Sequence, residues 1–97
     1  MAGVRFVRPK ILFIRLPGCS GCRAQARVLK TFAAAHPEFR VIPTDLVNAA
    51  LHWPDQNVKL PEGFPALVHV GPGGRLKTRV GFLDLPDLER WIEDINA

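Results

Sequence analysis

Ninety-seven residues, 47% of them hydrophobic and with Gly and Pro scattered throughout, fit one compact domain with a single core and leave no room for a second. Two cysteines are too few for a small scaffold stapled by several bridges, so the core must hold the fold together by itself. The net charge of +4 is unevenly spread: Arg5, Arg8, Lys10, Arg15, Arg23, Arg27, Lys30 and Arg40 stand against Glu38 alone in the first 40 positions. No aromatic residues interleave with the helix charges Arg23, Arg27 and Lys30, which favours a solvated helix face over a nucleic-acid surface.

The chain opens with MAGVRFVRPKILFIRLPGC, in which basic residues precede an apolar run and a cysteine, a faint likeness to a signal peptide with a lipid-attachment site at Cys19. Arg15 interrupts the run, which is also too short for the apolar core of such a peptide. No stretch is long enough to span a bilayer, so the expectation is a soluble cytoplasmic protein that binds no membrane. VRFVR near the start is a candidate short strand. KILFIRL is rich in Ile and Leu and nearly all apolar, the pattern of a central strand covered on both faces.

RAQARVLKTFAAAH carries strong helix formers, with Cys22, Ala26, Leu29 and Ala33 recurring on one helical face and Pro37 stopping the helix past His36. EFRVIPTDLV reads as a second strand through Phe39, Val41, Leu46 and Val47, with Pro43 marking an edge or a strand end. A strand, helix and strand at this spacing imply a parallel pair with a right-handed crossover. Between residues 48 and 60 the pattern is weak, with a short helix expected from Asn48 to Trp53 before Pro54.

FPALVHV and LKTRVGF flank the turn signal GPGGR and predict a β-hairpin. Alternation puts His69 with Leu67, opposite Ala66, Val68 and Val70, as a hydrogen-bonded strand histidine. DLPDLERWIEDINA has Asp84 as a cap, Pro86 in the first turn and Leu88, Trp91, Ile92 and Ile95 as an apolar stripe, which makes a terminal amphipathic helix with Trp91 as packing.

Both cysteines sit in PGCSGC, at the junction between the first strand and the first helix. Three readings compete. In a redox dithiol, the unpaired amides and positive end of the helix favour the anion of Cys19, Cys22 lies within reach to attack a mixed disulfide, and Arg15 and Arg23 add positive potential. A zinc site would need His36, His52 or His69 as further ligands, at spacings that match no familiar finger or ribbon. Two buried structural cysteines are the third possibility, although a strand-to-helix junction is where a reactive group is presented.

The order of these features resembles the thioredoxin-like superfamily over residues 10 to 96. ILFIRLPGCSGCR is similar to the strand, redox motif and following basic residue of thioredoxins and glutaredoxins. GFPALVHVGPGGRLKTRVGFLDLPDLERWIEDINA is similar to the carboxy-terminal half of thioredoxins, with its cis-proline opening a strand, hairpin, Val-Gly pair and terminal helix. The resemblance implies an α/β thioredoxin-like fold: a central mixed sheet of about four strands flanked by helices, without the full amino-terminal strand and helix of thioredoxin. It also implies that Pro65 is the cis-proline facing the cysteines, and that the backbone of Phe64, together with Gly18, pairs with an extended substrate segment; a core aromatic is the other role open to Phe64.

Departures from the family are specific. Gly18 stands where thioredoxins have Trp, and Ser20 and Gly21 stand where they have Gly-Pro. Phe13 replaces a buried acid that helps deprotonate the second cysteine, and the helix lacks a kinking proline. Trp53, after His52, is a candidate replacement for the missing Trp. Leu16 stands where glutaredoxins have Lys, with Arg15 one position away, and GFP and GFLD match a glutathione site poorly.

The expected function is a thiol–disulfide oxidoreductase without a bound cofactor or metal. Cys19 would attack disulfides in partner proteins, Cys22 would resolve the product, and a thioredoxin reductase or glutathione would supply electrons to a monomer. A thioredoxin-like protein-binding or regulatory module with a vestigial dithiol is the alternative.

Overall fold

The computed structural model describes residues 9–50, 63–71 and 75–96. VRFVR, the segment with His52 and Trp53, and the tip of the hairpin lie outside the described residues. Among the described residues seven elements follow in chain order: β1 (Lys10–Ile14), α1 (Ser20–Ala35), β2 (Arg40–Thr44), α2 (Leu46–Ala50), β3 (Ala66–Val70), β4 (Leu76–Val80) and α3 (Leu85–Asn96). The strands form one mixed sheet in the order β2-β1-β3-β4. β1 runs parallel to β2 and antiparallel to β3, and β3 and β4 form the expected antiparallel hairpin.

β1 is central because its side chains are apolar on both sides. Ile11 and Phe13 face α1 and α3, packing with Leu29, Phe32, Leu88 and Ile92. Leu12 and Ile14 face the other way, toward Ala49 of α2 and Ala66 and Val68 of β3. All four are at most 2% exposed, and each such burial is worth about 1.5–3 kcal/mol relative to exposure.

Pro43 sits inside β2, opposite Phe13 in register. It is tolerated there because β2 is an edge strand among the described residues, where a missing N–H leaves no central ladder broken. The strand is shorter than expected, ending at Thr44. Asp45 then starts α2, its carboxylate accepting from the backbone N–H of Asn48 at 2.8 Å and from the Asn48 amide at 3.0 Å. The expectation that Leu46 and Val47 extend the strand is corrected accordingly: both belong to α2, and Val47 is 79% exposed. This helix begins two residues before the Asn48 expected from sequence, and its continuation toward Trp53 lies outside the described residues.

In α1 the fully buried stripe is Cys22, Gln25, Leu29 and Phe32. Ala26 and Ala33, placed on that stripe by their apolarity, are only partly buried. The helix is rotated toward Phe32, whose large ring fills more of the core than an alanine can. Gln25 tolerates burial because both ends of its amide are bonded: Nε2 donates to the Leu83 carbonyl at 3.0 Å and Oε1 accepts from the Leu83 N–H at 2.8 Å. His36 closes α1, its N–H donating to the Phe32 carbonyl.

α3 follows the expected pattern, with Leu88 and Ile92 buried, Trp91 and Ile95 partly so, and the Asp84 carboxylate accepting from the Asp87 N–H at 2.9 Å. His69 lies on the expected face, opposite Ile11 in register and 4% exposed. Its expected hydrogen bonding is corrected: Nε2 is buried without a partner among the described residues. The ring of Phe39 packs beside it with centroids 6.1 Å apart, and burial lowers the pKa of His69.

Candidate active site at the amino end of α1

The chain leaves the sheet at Arg15, whose N–H still donates to the Thr44 carbonyl at 3.1 Å, and then turns back within three residues. Gly18 makes that return possible. Its φ of +75° lies in the left-handed region, which glycine enters without a Cβ penalty. Cys19 follows in an extended conformation as the cap of α1, with φ −83° and ψ 111°. Its sulfur accepts from the backbone N–H of Cys22 at 3.0 Å, the position a Ser or Asp oxygen takes in an ordinary helix cap.

Cys19 and Cys22 are joined as a disulfide, with their Cα atoms 5.2 Å apart. Cys19 is half-buried at the surface, whereas Cys22 is 3% exposed and part of the main core. No acidic residue occupies the first turn of α1, so nothing on that turn opposes a negative charge at the sulfur. Phe13, 2% exposed, packs in the same cluster as Cys22, so this wall of the second cysteine is apolar.

Pro65 comes to the motif from the opposite strand. The Phe64–Pro65 peptide bond is cis, and Pro65 is buried. A Cβ added to Gly21, between the two cysteines, would stand 3.3 Å from Pro65 Cδ, so only the smallest residue fits there without displacing its neighbour. The Pro65 carbonyl accepts from the Gly81 N–H at 2.8 Å, which ties this segment to the end of β4. Phe64 is partly buried against both halves of the core, so its ring has the packing role that composition left open.

A groove of about 790 Å³ opens beside the sulfurs. Arg15, Gly18 and Arg23 stand on its α1 side, and Thr44, Asp45 and Asn48 face them from β2 and α2. Arg15 and Arg23 are exposed and form no ion pair among the described residues. Among the described residues the zinc alternative finds no ligand set, and His52 lies outside them. Both sulfurs are bonded to each other, and His36 lies 17 residues farther along the chain at the other end of α1, about 25 Å away at helical rise. Among the described residues no three His, Cys, Asp or Glu side chains converge as metal ligands.

Solved structures of several thioredoxins share this fold. A chloroplastic thioredoxin z aligns with 91% of this chain and 78% of its own, at 19% identity and a TM-score of 0.68. The chain has the thioredoxin fold. Thioredoxin from Fasciola hepatica aligns with 90% of this chain and 80% of its own at 20% identity and a TM-score of 0.68. Mitochondrial thioredoxin 3 from Saccharomyces cerevisiae, in its oxidised form, aligns with 90% and 78% at 20% identity and a TM-score of 0.65. No family model matches the sequence, and no curated protein matches it.

Within this thioredoxin-like frame, sequence reasoning missed two contributors to the site. Gln25 joins the motif helix to Leu83, directly before the Asp84 cap of α3. Its signal was present in the alternative stripe through Cys22, Leu29 and Phe32, which the apolarity of Ala26 and Ala33 concealed. Asp45, capping α2 across the groove from Arg15, was hidden by reading Leu46 and Val47 as strand and starting the helix at Asn48.

Proposed function

We propose that this chain is a thiol–disulfide oxidoreductase that exchanges disulfides with partner proteins. The observation that carries this reading is the Cys19–Cys22 bond at the amino end of α1, with Cys19 in the capping position and Pro65 close against Gly21 between the two cysteines. In the reductive half-cycle, a reductase or glutathione delivers two electrons and two protons and converts the internal disulfide to two thiols. Cys19 then loses its proton to water and attacks one sulfur of a partner disulfide. That bond breaks, and the expelled sulfur leaves as a thiolate and is protonated by solvent.

Cys22 completes the exchange. It loses its proton to water, since Phe13 supplies no base, and attacks Cys19. The mixed disulfide breaks, the second partner sulfur leaves as a thiolate, and the internal bond is restored. The partner has gained two electrons and two protons. Amides at the start of α1 and the positive potential of Arg15 and Arg23 support the Cys19 anion. Gly18, Pro65 and the backbone of Phe64 seat an extended segment of the substrate. The same reading takes the protein as a cytoplasmic monomer that uses no bound cofactor; no helix among the described residues is long and apolar enough to cross a membrane.

Insulin reduction by the wild type and by Cys19→Ser tests this proposal. The wild type should precipitate the insulin B chain with dithiothreitol as the electron source, and the variant should not exceed the uncatalysed rate. Activity that is absent in the wild type, or unchanged in the variant, contradicts the proposal and favours the binding module with a vestigial dithiol.

A further inference from the structure

A second groove, of about 220 Å³, lies between α1 and the edge strand β2. It shares Arg15, Ala26 and Pro43 with the groove at the dithiol, so the two form one continuous furrow. Its floor is apolar, made by Phe13, Leu29 and Val41, and Lys30 stands at its side. The side chains of Arg15, Arg23 and Lys30 on its walls are all exposed and none forms an ion pair among the described residues. Arg27 adds a fourth exposed cation on α1 with no ion pair among the described residues, and residues 20–35 contain no acid.

Among the described residues Asp45 is the one acidic side chain lining either groove, at the dithiol end and engaged as the cap of α2. Charge is segregated at the same time: α3, packed on the same face of the sheet, carries Asp87, Glu89, Glu93 and Asp94 against Arg90. A uniformly solvated face does not require a cation-walled furrow that leads to the reactive sulfur. Unpaired positive charge around a concave apolar floor steers anions and raises their local concentration.

We propose that this furrow selects disulfide partners by an acidic segment with an apolar side chain, lying next to the partner's reactive cysteine and running along α1 from Cys19 toward Lys30. This rests on the oxidoreductase reading and adds its substrate class. The apolar side chain covers Leu29 and Val41, and the flanking carboxylates meet Arg15, Arg23 and Lys30. From Arg23 to Lys30 the helix rises about 10 Å, so the recognised segment is three or four extended residues long.

The test uses three synthetic peptides with the same internal disulfide, flanked by an acidic, a neutral or a basic four-residue segment, each containing one Leu. At low ionic strength the acidic peptide should be reduced with a kcat/KM about 10-fold or more above that of the basic one. That ratio should shrink toward unity in about 1 M salt, and it should fall at least about 3-fold in Lys30→Glu. Equal rates for the acidic and basic peptides at low salt, or an unchanged ratio in Lys30→Glu, overturn the proposal.

If no peptide is reduced, the oxidoreductase reading fails, and binding decides the furrow on its own. Serine versions of the same peptides, followed by fluorescence anisotropy on the oxidised protein, then support it if the acidic one binds preferentially and salt-sensitively. They overturn it if no preference exists, or if single-stranded RNA binds more tightly than the acidic peptide.

Discussion

The amino ends of α1 and α3 are built alike and equipped differently. In both, the capping side chain accepts a hydrogen bond from the backbone N–H three residues on: Cys19 sulfur from Cys22 at 3.0 Å, and Asp84 carboxylate from Asp87 at 2.9 Å. Asp84 is followed by an acid in the first turn and lies at the exposed start of a packing helix. Cys19 has no acid in the first turn, a second sulfur at the bonded position and a groove in front of it. One backbone geometry therefore serves stability at one helix and sulfur chemistry at the other, and the difference lies in whether the capping atom can form and break a covalent bond.

Exchanging the caps breaks that comparison most severely. Cys19→Asp should eliminate disulfide exchange altogether, because the nucleophile is gone. It should nevertheless leave the variant as stable as the reduced wild type or more so, by up to about 1 kcal/mol, because a carboxylate is a better cap than a thiol. Insulin reduction and thermal unfolding under reducing conditions measure the two sides. A variant that fails to fold shows that the cap position at α1 requires sulfur for structural reasons.

The next largest effect concerns the link between the two helix ends. Gln25 on α1 holds both backbone groups of Leu83, the residue before the α3 cap, and is itself fully buried. Gln25→Ala leaves a buried N–H and C=O without partners and opens a cavity, which should cost about 3 kcal/mol in urea unfolding. A loss below about 1 kcal/mol would show that solvent or a shift of α3 replaces the clamp.

Removing the α3 cap should matter less. Asp84→Ala should lower stability by about 1 kcal/mol, while the rate of disulfide exchange at a temperature where the variant is fully folded stays unchanged. A slowed exchange would show that the two helix ends are coupled through Gln25 and are not functionally separate.

The smallest effects are in pH dependence, at the far end of α1. The hydrogen bond to Glu89, assisted by nearby Glu38, raises the pKa of His36. Its contribution is therefore complete below the unfolded histidine pKa of about 6.5 and is lost as pH rises through the higher folded value. Burial lowers the pKa of His69, so its contribution is complete above about 6.5 and is lost as pH falls through the lower folded value. Stability measured against pH should accordingly lose an alkaline-side decline in His36→Asn and an acid-side decline in His69→Phe. Parallel profiles for wild type and both variants contradict these assignments.

Much of this was legible in the residues themselves. Four consecutive apolar residues from Ile11 to Ile14 identify a strand covered on both faces, and GPGGR between alternating runs marks the hairpin. Asp84 ahead of Leu88 and Ile92 marks the start of α3. The cysteine spacing at a strand-to-helix junction located the motif, and the resemblance to thioredoxins supplied Pro65, which spacing alone does not bring near Cys19. What stayed hidden depends on tertiary partners. Gln25 looks like a surface residue until Leu83 is known to lie above it, and His69 looks like any strand histidine until Phe39 is seen against it. Leu46 and Val47 carry strand propensity that the Asp45 cap overrides.

The most direct test of the reactive arrangement is a competition between the two sulfurs of the reduced protein. Limiting iodoacetamide at neutral pH, followed by peptide mapping, should label Cys19 at least about 10-fold faster than Cys22, because one sulfur is presented at the helix end and the other is packed in the core. Equal labelling, or faster labelling of Cys22, would contradict the assignment of Cys19 as the attacking sulfur.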